Sequence, residues 1–197
     1  MRILSAGDLT EKVRRLCLRA CCDLPQDVLA AMTAALAIEA PESAAHSVLS
    51  QLIVNQELAR SCQRPVCQDT GVAVVFADIG EELHIEGSLE QAVNEGVRLA
   101  YTEGYLRKSV LDPITRKNTL DNTPATLHVR FVPGDKLLLT VVPKGFGSEN
   151  MSRLVMLSPS AGLPGILDTI VSDVVSAGAS ACPPVVVAVG IGGTMET

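Results

Sequence analysis

The sequence predicts an α+β fold: a helical N-terminal third, then a mixed sheet with covering helices, the domain reading as incomplete at its C-terminus. Three observations carry this. Apolar residues recur at helical spacing through most of the first sixty positions. Short strand patterns then follow, some alternating and some apolar on both sides, with further helical stripes between them. Finally, the apolar run Val185–Val189 leads into Gly190-Ile191-Gly192-Gly193-Thr194 just before Met195-Glu196-Thr197. A glycine-rich turn after a buried strand normally opens a helix that covers the sheet. None follows, so residues 1–197 read as the front part of a domain.

Each element has a local reason. Residues 8–22 form a first helix with Val13, Leu16, Cys17 and Ala20 as its apolar stripe. Pro25 suits the first turn of a second helix, which runs to about Glu39, and Pro41 opens a third, with Ala45, Val48, Leu49, Leu52 and Ala59 at helical spacing. Val72–Ile79 is apolar on both sides and reads as a central strand, and Leu83–Glu86 as a second, short one. Ser88 and Gln91 make a capping-box pair. The helix they start carries Leu89, Ala92, Val93, Val97 and Ala100 on one face and ends near Gly104–Leu106. Arg107 to Pro124 is polar and without period, the kind of long loop that is usually functional or mobile. Thr126–Val132 alternates strictly, Pro133-Gly134 suits a tight turn, and Lys136–Val142 reads as the returning strand of a hairpin. His128, on the polar face of its strand, reads as a solvated or hydrogen-bonded residue. After Pro164 a helix with Ile166, Leu167, Ile170, Val171, Val174 and Val175 on one face closes at Gly178. Val185–Val189 reads as a buried strand.

Composition excludes several classes. Of 197 residues, 47% are apolar and 19% charged, which suits a packed domain rather than a disordered chain. A net charge of −6 with no basic run argues against nucleic-acid or anionic-membrane partners. The longest uninterrupted apolar runs fall far short of the roughly 20 residues of a membrane span. The first residues lack a signal-peptide pattern, so the expected location is cytoplasmic. In a reducing compartment six cysteines read as buried thiols, metal ligands or catalytic groups rather than disulfides. Cys17, Cys21 and Cys22 share one amphipathic helix and read as core.

The chemistry concentrates elsewhere. Pro65-Val66-Cys67-Gln68-Asp69-Thr70-Gly71 sets a thiol, an amide, a carboxylate and a hydroxyl in unbroken order on a loop between a helix and a strand. Gly145-Phe146-Gly147-Ser148-Glu149-Asn150 combines two glycines, which allow close backbone approach, with polar side chains. Cys67 and Cys182 both sit in loops at the ends of strand patterns. Such a pair can hold a metal or part of an iron–sulfur cluster, but no Cys-x-x-Cys knuckle supports structural zinc. Cys62, five residues before Cys67, is weak evidence for a ligand. The dinucleotide fingerprint fails at Gly190–Thr194, because Met195 stands where its third glycine is required. The turn still offers backbone amides to an anion, or simply lets strand and helix pack closely.

Taken together, Cys-Gln-Asp-Thr-Gly at 67–71, Gly-Tyr-Leu-Arg-Lys-Ser-Val at 104–110, Asp-Asn-Thr-Pro-Ala at 121–125, Pro-Lys-Gly-Phe-Gly-Ser-Glu-Asn-Met-Ser at 143–152, Cys-Pro-Pro-Val-Val-Val at 182–187 and Gly-Ile-Gly-Gly-Thr at 190–194 resemble the α subunit of class I, iron–sulfur fumarate hydratases. The related L-tartrate dehydratase α subunits share the 67–71 segment. The resemblance runs over essentially the whole chain and implies a hydro-lyase of the tricarboxylic acid cycle type, hydrating fumarate to (S)-malate at a [4Fe–4S] cluster. It implies Cys67 and Cys182 as two of three cluster ligands facing one cavity, the third lying beyond Thr197 in the family. It implies Gln68, Asp69 and Arg107 as catalytic residues, with Gln68, Arg107, Gly145 and Gly147 binding a small dicarboxylate. It also implies a β-subunit partner. The alternatives are an L-tartrate dehydratase α subunit, or a remnant that binds no cluster.

Overall fold

The computed structural model describes residues 2–194, which fall into two compact units with the boundary between Lys144 and Gly145. In the first unit, β1 (Arg2–Ser5) leads directly into α1 (Ala6–Cys22), which Ser5 caps by accepting from the Asp8 N–H at 3.0 Å. After α2 (Gln26–Ile38) comes α3 (Ala44–Cys62). Its cap is Ser43 rather than Pro41, through a 3.0 Å bond from the His46 N–H. Then follow β2 (Val72–Gly80), β3 (Leu83–Glu86), α4 (Leu89–Glu103), β4 (Thr126–Val132) and β5 (Leu137–Lys144). The Ser88 cap of α4 forms as the sequence suggests, at 3.3 Å from the Gln91 N–H.

The core lies between α1, α4 and one face of a three-stranded sheet. Leu9, Val13, Cys17 and Cys21 on α1 meet Ala92, Val93, Val97, Ala100 and Tyr101 on α4, over Ala73 and Val75 of β2. Burying side chains of this size contributes about 1.5–3 kcal/mol each, so this layer carries most of the unit's stability. All three helix cysteines are buried, as expected, Cys17 and Cys21 in this layer. The other sheet face carries Phe76 stacked on His128, ring centroids 4.9 Å apart, beside an Asp78–Arg130 ion pair. An 18-residue window within Ala6–Ile38 reaches a mean hydropathy of 1.3, enough by length and composition for a membrane span, where the apolar runs alone suggest none. The chain breaks this segment at Asp23–Pro25 into α1 and α2, and α1 buries its stripe in the core.

The strand pairing corrects the expected hairpin. The sheet order is β4-β2-β5, β4 parallel and β5 antiparallel to β2, so Thr126–Val132 and Leu137–Lys144 flank β2 instead of pairing. Alternation fixes which face a strand buries, not which neighbour it takes. The central, doubly apolar β2 supplies both ladders, and its end tucks under the Pro133–Lys136 connection. There the Gly80 N–H donates to the Lys136 carbonyl at 2.8 Å and the Glu81 N–H to Val132 at 2.9 Å. A Cβ at Gly80 would collide with the Gly134 carbonyl, so glycine is required for this crossing. A parallel pair, β1 with β3, forms separately; β1 has too few residues to show a period.

The second unit contains the one-turn helix α5 (Phe146–Glu149) and α6 (Gly162–Ala177), ending at Gly178 with φ 47°. Its apolar stripe forms the expected helix, yet Leu167 and Val171 remain exposed. The expected buried strand at Val185–Val189 is absent: the segment has no ladder partner among the described residues and is exposed. A strand needs a neighbour for its N–H and C=O groups, and apolar composition alone supplies none.

Candidate active site

The loop between α3 and β2 is held at both ends. Gln63 leaves α3 in the left-handed region (φ 50°). The chain then passes the C-terminus of α1, where the Val66 N–H donates to the Cys21 carbonyl (2.9 Å) and the Val66 carbonyl accepts from Asn55 Nδ2 (2.7 Å). With both backbone groups of Val66 engaged, the next residues, Cys67 and Gln68, are presented to solvent. Three residues on, Thr70 is buried. Its carbonyl accepts from the Tyr101 hydroxyl (3.0 Å), and its Oγ1 donates to the Arg107 carbonyl (3.2 Å). The hydroxyl thus ties the thiol loop to the segment leaving α4. There, buried Leu106 anchors the chain and Arg107 emerges exposed.

These two segments form an open cleft of about 770 Å³, lined by Cys62, Cys67, Gln68, Thr70, Tyr105 and Arg107 among others. Three of the residues singled out from sequence, Cys67, Gln68 and Arg107, therefore share one surface. Cys67 Sγ lies 3.6 Å from Gln68 Oε1 and accepts from the Asp69 N–H at 3.4 Å, so the sulfur is fixed by its own loop. Asp69 is half-buried in the same loop and does not line this cleft. Cys62 does, which its sequence spacing only weakly suggested. In contrast, burial pushes the thiols of Cys17 and Cys21 up to about 12, leaving them inert near neutral pH. Burial likewise raises the Tyr101 hydroxyl, so it stays a donor.

Two residues of this framework escape a motif-level reading. Tyr101 extends the apolar stripe of α4 and looks like core, yet its hydroxyl holds the Thr70 carbonyl. Asn122 belongs to the Asp-Asn-Thr-Pro-Ala motif without an evident role; it is fully buried and binds three backbone groups. Nothing local in the sequence marks it, because its burial appears only in the folded chain.

In the second unit, Cys182 follows a short 3-10 turn, Gly178–Ala181, with φ 59°. Its exposed thiol rests against α5: a Cβ on Gly147 would lie 2.8 Å from Cys182 Sγ, so only glycine leaves room for the sulfur there. Ser148 Oγ donates to the Ala181 carbonyl at 3.1 Å and fastens the contact. Gly145, in extended conformation, caps α5. For an iron–sulfur group the donor chemistry of Cys67 and Cys182 is right, both being free and exposed. Among the described residues, however, no three His, Cys, Asp or Glu side chains gather as a metal site.

The family model for fumarate hydratase (Fumerase) matches residues 10–197, and the chain belongs to that family. Among its relatives is a protein of Methanocaldococcus jannaschii provisionally named L(+)-tartrate dehydratase subunit alpha. It is 38% identical over 180 residues, covering 88% of this chain and 63% of the relative. The anaerobic class I fumarate hydratase of Escherichia coli K12 is 35% identical over 151 residues, covering 75% of this chain and 28% of that enzyme. The L(+)-tartrate dehydratase subunit alpha of E. coli UTI89 is 31% identical over 147 residues, covering 73% and 48%. The chain thus spans about 63% of the first relative's length and less of the others.

Proposed function

We propose that this chain is the α-type part of a cytoplasmic hydro-lyase that reversibly adds water to fumarate, giving (S)-malate, together with a β-type subunit. The observation that supports it most is the convergence of Cys67, Gln68 and Arg107 on one cleft in a chain of the fumarate hydratase family. Cys67 and Cys182 are the residues that would hold a [4Fe–4S] cluster, which when bound supplies an open iron as Lewis acid toward a hydroxyl or carboxylate. The chain's own residues position the dicarboxylate. The Arg107 guanidinium pairs with one carboxylate in a bidentate fork, and the Gln68 amide offers a donor and an acceptor beside it. In the dehydration direction, malate loses hydroxide from one carbon and a proton from the next. In this reading Asp69, half-buried in the same loop and outside the cleft lining, turns its carboxylate into the cleft to take that carbon-bound proton, and returns it when fumarate is hydrated. Gly145 and Gly147 keep the second loop free of side chains where substrate approaches.

A second reading, L(+)-tartrate dehydration to oxaloacetate, has its own support in the 38% identity to the M. jannaschii relative. The test is to express the chain with its partner subunit, reconstitute it anaerobically with iron and sulfide, and follow malate formed from fumarate against oxaloacetate formed from L-tartrate. A fumarate preference is expected. A tartrate preference selects the second reading, and absence of both products refutes hydro-lyase activity. The purified chain without its partner is expected to form no malate, since in this reading the β-type subunit completes the substrate site. In the active assembly, Arg107→Lys keeps the charge and loses the planar fork, so KM for the dicarboxylate should rise about tenfold with cluster absorbance unchanged.

A further inference from the structure

Asn122 lies outside the cleft and is absent from its lining, yet the two segments that build the cleft meet at its side chain. Its Oδ1 accepts from the Ser109 N–H at 2.6 Å and the Val110 N–H at 3.2 Å, on the stretch directly after Arg107. Its Nδ2 donates to the Gly71 carbonyl at 3.1 Å, at the end of the Cys67–Gly71 loop. The side chain is fully buried, and the backbone is left-handed (φ 64°), a region Asn tolerates better than most residues. The Thr70–Arg107 bond is a second tie between the same two segments. The stretch past Arg107 is pinned again where Asn118 Nδ2 donates to the Lys108 carbonyl at 2.9 Å.

From this we infer that Asn122 is a positioning residue: by clamping Ser109 and Val110 to Gly71, it sets Arg107 relative to Cys67 and Gln68. Neither segment has regular secondary structure to hold it. Backbone groups bonded to one buried amide cannot move apart without leaving polar atoms unsatisfied, which costs about 1–3 kcal/mol per group. Asn is suited to the task because one side chain supplies an acceptor for one segment and a donor for the other. The inference rests on the hydro-lyase reading only where activity is the readout.

Two substitutions separate its parts. Asn122→Gly relieves the left-handed backbone and removes all three bonds, whereas Asn122→Asp retains an acceptor for Ser109 and Val110 and loses the amide donor to Gly71. Hydrogen exchange on the purified chain should show the Ser109 and Val110 amides protected in the wild type. Their protection should fall at least about tenfold in Asn122→Gly, with α1 and α4 amides unchanged, and should persist in Asn122→Asp. In the active assembly both variants should raise KM for the dicarboxylate about tenfold, with a smaller change in kcat, the mark of a misplaced binding group. Thr70→Val, which removes the parallel tie, should do the same more weakly. Unchanged exchange at Ser109 and Val110 in Asn122→Gly overturns the inference, as does unchanged KM in an active assembly that has lost that protection. If the wild-type assembly is inactive, the hydro-lyase reading fails instead, and the exchange result decides the clamp alone.

Discussion

The two units spend similar residues in opposite ways. In the first, the stripes of α1 and α4 close over β2, and Leu9, Val13, Val75 and Val97 are completely buried. In the second, α6 carries an equally clean stripe, but Leu163, Leu167, Val171 and Val175 all stand exposed, and Ala181 is the sole buried apolar residue that the described positions show there. Helical periodicity makes a helix locally; stability comes when a facing element removes the stripe from water. The first unit contains its own facing element. Apolar surface as extensive as that of the second suits association with another surface. The two proposed cluster thiols fall one on each side of this divide: Cys67 leaves a pinned loop of the first unit, and Cys182 leans on a four-residue helix in the second.

The largest expected contrast is in thiol reactivity. Cys67 and Cys182 are exposed, whereas Cys17 and Cys21 react only when α1 separates from α4. With open populations of about 10⁻³–10⁻⁶, alkylation by iodoacetamide should be at least about a thousandfold slower at Cys17 and Cys21, read by peptide mass spectrometry. Comparable rates at all four would mean that the first unit lacks the closed core described here.

Substitutions should then show the same divide in free energy. Leu9→Ala empties a fully buried position and should cost about 2–5 kcal/mol in denaturant unfolding. Leu167→Ala, at a half-exposed position on α6, should stay within about 0.5 kcal/mol. Alkaline pH acts on the first unit in the same direction as the cavity. The folded thiols of Cys17 and Cys21 are raised, mainly by burial, from 9.0 to about 12. The unfolded chain therefore releases these protons first. Stability is fully present below about pH 9 and is lost as pH rises toward 12, by at most about 1.4 kcal/mol per pH unit for each thiol. Replacing both by Ala should flatten that slope in pH-dependent unfolding curves; an unaltered slope would assign it to other groups.

How much of this was legible beforehand follows from the range of each signal. The stripe of α4, the Ser88 cap and the Gly178 stop lie within a few residues of what they specify, and they form as read; on α1, Val13 and Cys17 are buried as read, with Leu9 and Cys21 in the core in place of Leu16 and Ala20. Strand neighbours are not local. Thr126–Val132 alternates as read, yet of its apolar face only Leu127 packs against the core while Val129 and Phe131 stand exposed, and nothing in its alternation says that β2 lies between it and Leu137–Lys144. Val185–Val189 has strand composition but no ladder partner among the described residues, and composition cannot create one. At the site, motif order pointed to Cys67, Gln68 and Arg107. Tyr101 and Asn122 stayed hidden because each works through a backbone group about thirty to fifty positions away, a relation visible only once the chain is folded.

The smallest expected effect tests the contact between Cys182 and α5 in the second unit. Cys182 Sγ occupies the space that a side chain at 147 would need, 2.8 Å from the position of an added Cβ. Gly147→Ala therefore has to push the sulfur or shift α5. Because α5 is one turn long and little of this unit is buried, the shift should be cheap, on the order of 1 kcal/mol or less. Unfolding of the first unit should not change at all, since Gly147 belongs to the other unit. What should change is the thiol itself: alkylation of Cys182 should speed up by a few-fold as the sulfur leaves its seat, while the rate at Cys67 stays constant. Gly147→Ala with an unaltered Cys182 rate would mean that the glycine does not seat the thiol and is there for close approach by something else. A matching change at Cys67 would mean that the effect of Gly147→Ala is not confined to the second unit.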